Sequence, residues 1–101
     1  MGSQIQISSP FIKSFSHANT TVGTSLVQVL DYAPIATKRI SVVVQNQSTS
    51  SQNINVVLNS TDTSGIIIPP LSSYVLDNYN GQVYVKGSAS GAIVHIAVAS
   101  V

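Results

Sequence analysis

Polar and apolar residues alternate along most of this chain with a period of two, and the 3.6-residue period of an amphipathic helix is almost absent. In Ile40-Ser41-Val42-Val43-Val44-Gln45, the residues Ile40, Val42 and Val44 share one side of an extended strand, while Ser41 and Gln45 share the other. Asn53 to Leu58 likewise points Ile54, Val56 and Leu58 to one side. From Ala92 to Val98, Val94, Ile96 and Val98 face one way and Ile93, His95 and Ala97 the other. Both faces of that segment are partly apolar, which predicts a central strand. Ser25 to Leu30 and Gln82 to Lys86 complete the strongest strands, with shorter ones at Gln4 to Ser8, Phe11 to Phe15, Ile66 to Ile68 and Leu71 to Leu76.

Turn signals punctuate these segments. Asn80-Gly81 supplies the positive φ values of a tight hairpin between Tyr79 and Gln82. Gly87 and Gly91 bracket a short loop before the last strand, and Ser48 to Gln52 reads as a flat polar hairpin loop. Pro69-Pro70 removes two ladder donors and forces a crossover or an edge. About eight short strands at this spacing predict an all-β fold: a single antiparallel β-sandwich, jelly-roll-like or Ig-like. Residues 1–24 form an N-terminal strand or arm region and 25–101 the sandwich, one domain overall. The piece Ser14, Ser16, His17, Ala18, Asn19, Thr20 is soft and turn-rich, and suits either a first strand with its loop or an arm that packs on a neighbouring subunit.

Composition narrows the function. The chain carries only four Lys or Arg and three Asp in 101 residues, a formal net charge of +1. Ordinary domains are about a quarter charged. Lys38-Arg39 is the only basic pair and reads as a solvated strand end, so no phosphate-neutralising stripe exists and nucleic acid is not expected as a partner. No window is long and apolar enough for a membrane span, and no signal peptide is visible at the N-terminus. Without cysteine there is neither a disulfide framework nor a thiolate metal site, which leaves oligomerisation or docking as the natural reinforcement of a small domain. Three Asn-x-Ser/Thr matches, at Asn19, Asn46 and Asn59, arise by chance in a chain so rich in these residues.

Groups for chemistry are correspondingly few. His17 and His95 have no carboxylate neighbour in sequence, and His95 lies in an aliphatic strand where a hydrogen-bonded, packed imidazole is expected. Asp31, Asp62 and Asp77 fall in separate turns or strand ends, where such side chains cap backbone amides. An enzyme would need at least two of these five groups to converge in one cleft. No nucleophile elbow or phosphate-cradling loop is present. The expectation is therefore no catalytic residue, no metal and no cofactor. Tyr32, Tyr74, Tyr79 and Tyr84 are more suggestive, because Tyr74, Tyr79 and Tyr84 straddle the predicted hairpin and Tyr with Asn and Ser makes good contact surfaces. Phe11, Phe15, Tyr74, Tyr79 and Tyr84 form the candidate interaction surface.

The run of features from Lys38 to Val98 carries a resemblance. The strand ending in Gln45-Asn46, the step Ile66-Ile67-Ile68-Pro69-Pro70, the segment Ser73 to Tyr79 and the strand Gly81-Gln82-Val83-Tyr84 follow in that order. This resembles small accessory virion proteins of tailed bacteriophages. The resemblance implies a capsid decoration (cement) or head-fibre subunit that binds the major capsid protein, or another virion protein, as a homo-oligomer, with a trimer favoured. It implies assembly in the host bacterial cytoplasm and residence in the virion, and it brings no catalytic residue. A tail or fibre accessory, or a receptor- or glycan-binding module using the Tyr-rich hairpin, is the alternative. A surface of amides and hydroxyls suits either, since copies packed closely accumulate no like-charge repulsion.

Overall fold

The structure is a computed structural model and describes residues 14–34, 37–49, 51–62 and 65–101. Eight strands succeed one another there: β1 (Ser14–Val22), β2 (Val27–Leu30), β3 (Arg39–Asn46), β4 (Ile54–Val57), β5 (Ile66–Ile68), β6 (Ser73–Asp77), β7 (Val83–Gly87) and β8 (Ala92–Ser100). No helix occurs among the described residues. The strands form two four-stranded sheets, sheet A in the order β1-β8-β3-β6 and sheet B in the order β2-β7-β4-β5.

Every strand pair is antiparallel, and the pairs β1–β8, β2–β7, β3–β6 and β4–β5 nest inside one another. That is one long two-stranded ribbon rolled up so that β8 meets β3 and β7 meets β4. It is the jelly-roll arrangement. Only β4 and β5 are both consecutive and paired, so the Ig-like alternative, which pairs consecutive strands within its sheets, is not what forms.

The alternation read in the sequence decides the core. Val42 and Val44 on β3, Ile54 and Val56 on β4, Val83 and Val85 on β7, and Val94, Ile96 and Val98 on β8 turn between the sheets and are buried. Each such side chain stabilises the fold by about 1.5–3 kcal/mol of burial. Among the described residues no aromatic side chain is fully buried, and β-branched residues suited to pleated surfaces hold the sheets together. β8 lies inside sheet A, between β1 and β3, as the two-faced apolar pattern predicts.

Two expected hairpins are replaced by crossings between sheets. β3 belongs to sheet A and β4 to sheet B, so these two strands do not pair as the hairpin expected around Ser48 to Gln52. β6 and β7 are likewise in different sheets, and Asn80-Gly81 makes no tight hairpin. The positive φ in this connection is at Asn78, at 55°. Local turn residues could not reveal this, because in a jelly roll the nested long-range pairs, not the chain neighbours, decide the ladders.

The stretch from Ser14 to Thr20, expected as a soft turn-rich piece, is strand. β1 pairs with β8 without interruption from Ser14↔Ser100 to Val22↔Ala92. Backbone hydrogen bonds to the open side of β8 hold it, and these need no apolar side chains. Residues 14–22 are thus an integral edge of sheet A, whereas the expected strand at Gln4 to Ser8, any arm in 1–13, and Phe11 lie outside the described residues.

Candidate functional site

The outward side of sheet A is the most distinctive surface, and the strand register lays it out. Three rows cross all four strands: Phe15–Ala99–Ser41–Asp77, His17–Ala97–Val43–Val75, and Asn19–His95–Gln45–Ser73. Asp77 is the only one of these residues that is a Lys, Arg, Asp or Glu. Phe15 is 71% exposed, Val75 49% and neighbouring Ile93 37%, so apolar side chains stand in solvent among amides and imidazoles. Among the described residues, no strand pairs with the outer side of β1 or of β6. β1 is nine residues long and contains no proline and no Lys, Arg, Asp or Glu. Its pairing with β8 shows no bulge. Soluble monomers ordinarily blunt such an edge with charge, proline or a bulge.

The two histidines meet on this face. Their ring centroids stand 5.2 Å apart with the planes inclined at 47°. His95 Nδ1 lies 2.5 Å from Asn19 Oδ1. A carbonyl oxygen accepts only, so Nδ1 carries the proton and donates it, which leaves Nε2 as the ring's free ligand position. His95 is thus a hydrogen-bonded imidazole packed against a neighbouring ring, as its strand led one to expect. It turns outward, half-buried, because the side of β8 that faces the core is taken by Val94 and Ile96.

Two polar knots tie the sandwich elsewhere. Asn46, at the end of β3, is fully buried. Its Nδ2 donates to the carbonyls of Gln52 and Ile68, each at 2.9 Å, and its Oδ1 accepts from the Ser48 amide at 3.0 Å. Its backbone accepts from Leu71 N at 2.8 Å and donates to Ser72 O at 2.9 Å. Arg39, read in the sequence as half of a solvated pair, is buried instead. Its guanidinium donates to the carbonyls of Gly81 at 2.8 Å and Asp31 at 2.5 Å, joining the start of β3 to the ends of β2 and β6–β7. Burial holds its pKa below the ordinary value, and the nearby Tyr79 and Asp31 oppose that shift. Neither knot carries a sequence signal, because each partner is a backbone carbonyl or amide brought in by the fold.

The remaining candidates separate. Tyr74 is on β6 in sheet A and Tyr84 on β7 in sheet B, so the shared hairpin face expected for the tyrosines is not formed. Tyr79 lies between them, half-buried, with Oη 2.7 Å from the Gln82 carbonyl and 3.3 Å from that of Leu58. Burial raises its pKa above the ordinary 10.0, Tyr32 adds to the shift, and Arg39 opposes it. Among the described residues of the predicted set, Phe15 is the one aromatic that stands fully on the outward side of sheet A.

Asp31 follows β2 and accepts from the Tyr32 amide at 2.8 Å, while Asp62 accepts from Asn59 Nδ2 at 2.9 Å. Asp77 closes β6. Thus two of the five groups that an enzyme would need do converge, His17 and His95, but on an open sheet face instead of in a cleft. Among the described residues no three His, Cys, Asp or Glu gather where they could hold a metal ion. A cavity of about 140 Å³ does open between the sheets where β1 meets β2, lined by Ser16, Ala18, Thr20, Val29, Leu30 and Ile96 among others. It is flanked by hydroxyls and aliphatic groups, and His17 is the one titratable residue that borders it.

The fold and this face define a small jelly-roll sandwich whose edge strand β1 has no Lys, Arg, Asp, Glu, proline or bulge, beside an almost charge-free sheet face. No protein-family model and no curated protein matches the chain. Among solved structures, the fold is similar to that reported under "Bacillus endospore appendages form a novel family of disulfide-linked pili". The TM-score is 0.61 with 11% identity, over 97% of this chain and 96% of that one. The likeness is one of fold, and these 101 residues contain no cysteine with which to share a disulfide link.

Proposed function

We propose that this chain is a structural subunit that works in many copies and performs no catalysis. The observation that carries the reading is β1, a nine-residue edge strand with no Lys, Arg, Asp or Glu, no proline and no bulge, bordering a sheet face with one carboxylate. Left in solvent, such an edge invites pairing with any other strand; met by a second copy, it becomes an interface. An edge that joins a different patch on the next copy makes a head-to-tail contact, which generates rings or open filaments. The pilus-forming neighbour in fold supports the filament form, held here by non-covalent contacts.

The test is light scattering coupled to size exclusion over a wide concentration range, with negative-stain microscopy of the concentrated protein. Oligomers or filaments that grow with concentration are expected. Thr21→Lys, which places a charge on the exposed end of β1, should reduce them without loss of the β circular-dichroism signal. A strict monomer at high concentration would overturn the reading.

The resemblance of Lys38 to Val98 to phage accessory proteins supports a second placement, as a decoration subunit on a bacteriophage head. An uncharged face suits dense packing on a shell, where weak sites gain from multivalency. Small closed oligomers that co-sediment with purified phage heads, and form no filaments alone, would select this placement.

A further inference from the structure

We propose that His17 and His95, oriented by Asn19, form a binding site on the outer side of sheet A for a divalent transition-metal ion of the zinc, nickel and copper class. Two imidazoles bound to one tetrahedral ion, with metal–nitrogen bonds of about 2.0–2.1 Å, place their ring centres about 5 Å apart. The centroids here are 5.2 Å apart. The register explains why: His17 is opposite Ala97, one step diagonal from His95, which is opposite Asn19. Diagonal cross-strand neighbours on one face are within reach of long or aromatic side chains.

Asn19 supplies what bound histidines ordinarily have, a carbonyl-type oxygen that takes the proton of the second ring nitrogen. That contact fixes the His95 tautomer and leaves Nε2 for the ion. The surroundings permit approach. Ala97 and Val43 continue the His17 row and add no bulk above the sheet, and the rows across the face contain no Lys or Arg to repel a cation. Gln45, beside His95 in the same row, is a neutral amide. Two imidazoles suit ions of borderline softness and not Mg²⁺ or Ca²⁺, which take oxygen ligands. Because the chain supplies two ligands, the other positions are filled by water or by a donor from another molecule. Both ligands lie on one chain, so the site does not depend on the assembly reading.

Isothermal titration of the full chain with the chlorides of Zn²⁺, Ni²⁺, Cu²⁺ and Mg²⁺ tests this. One ion per chain is expected, with Cu²⁺ tightest and no Mg²⁺ binding. His17→Ala and His95→Ala each weaken binding at least about tenfold. Asn19→Ala keeps both ligands and weakens it several-fold, less than the roughly 10–100-fold such partners contribute in enclosed sites, because these rings face solvent. Proton NMR of the wild-type imidazoles needs no variant: both rings shift together and saturate at one equivalent of Zn²⁺. Binding unchanged in the His17→Ala/His95→Ala double variant, a shift of one ring alone, or no Zn²⁺ or Cu²⁺ binding would overturn the proposal.

Discussion

Replacing Asn46 with alanine removes the side chain that joins β3, the β3–β4 crossing and the end of β5. Three hydrogen bonds go: Nδ2 to Ile68 O and Gln52 O, and Ser48 N to Oδ1. A buried polar group left without its partner costs about 1–3 kcal/mol. Ile68 O and Ser48 N are buried, whereas Gln52 O is near enough to the surface to be rehydrated, so the loss should be about 3–5 kcal/mol. A domain of this size has only about 5–15 kcal/mol to lose. Since 1 kcal/mol moves Tm by about 4–8 °C in domains of up to about 100 residues, the midpoint should fall by roughly 12–40 °C. Guanidinium unfolding followed by circular dichroism measures the loss of stability and a thermal melt the fall in Tm, and the slope m should hold if only stability changes.

Asn46→Asp separates hydrogen bonding from volume. It keeps the size, removes the two donations and sets a carboxylate against two carbonyl oxygens, so at neutral pH it should be at least as damaging as alanine. Ser48 belongs to the same knot, because its Oγ accepts from Ile93 N at 3.0 Å. The double variant Asn46→Ala/Ser48→Ala should therefore cost less than the two singles added together. A loss below 1 kcal/mol for Asn46→Ala, or strict additivity with Ser48→Ala, would refute the view that this amide clamps the two sheets.

Arg39→Lys keeps a positive charge but loses the two-pronged contact with Gly81 O and Asp31 O, and should cost about 1–3 kcal/mol in the same unfolding assay. Tyr79→Phe should cost about 1 kcal/mol at pH 7. Because the folded Tyr79 pKa is raised, its contribution is intact below pH 10.0, the ordinary value, and is lost as pH climbs through the folded value. The gap between wild type and Tyr79→Phe should thus narrow from pH 10 upward in denaturant midpoints. Leu71 sits at φ 63° in the turn closed by Ser72 N to Pro69 O, 73% exposed, so Leu71→Gly should relieve a left-handed conformation and raise stability by about 0.5–1 kcal/mol.

Period-two alternation was enough to place Val42, Val44, Ile54, Val56, Val94 and Ile96 in the core, because in a two-sheet fold each strand has one inner side. The interior position of β8 was readable for the same reason, since Ile93 and Ala97 make its second side apolar as well. Turn chemistry misled at Asn80-Gly81 and at Ser48 to Gln52. Both sequences are compatible with hairpins, and nothing local says that the strands on either side lie in different sheets. The candidate site was least legible. His95 and Asn19 are 76 positions apart, and only the pairing of the first strand with the last brings them together. Arg39 was misread because a guanidinium held by carbonyls needs no acidic partner, and so leaves no charge pattern in the sequence.

The scarcity of charge is not a requirement of the core. The interior is closed by β-branched side chains and the sheet crossings by Asn46 and Arg39, none of which dictates what stands on the outer side of sheet A. Lys or Glu at Val43, Val75, Ala97 or Thr21 would leave the inner rows untouched, because alternate residues of a strand face opposite ways. Such residues would also guard β1 against unwanted pairing. A stable, solitary monomer would gain solubility from them at little cost to its stability. Their absence from both the face and the edge is what a surface kept for contact requires, and it supports reading this sandwich as one member of a larger assembly.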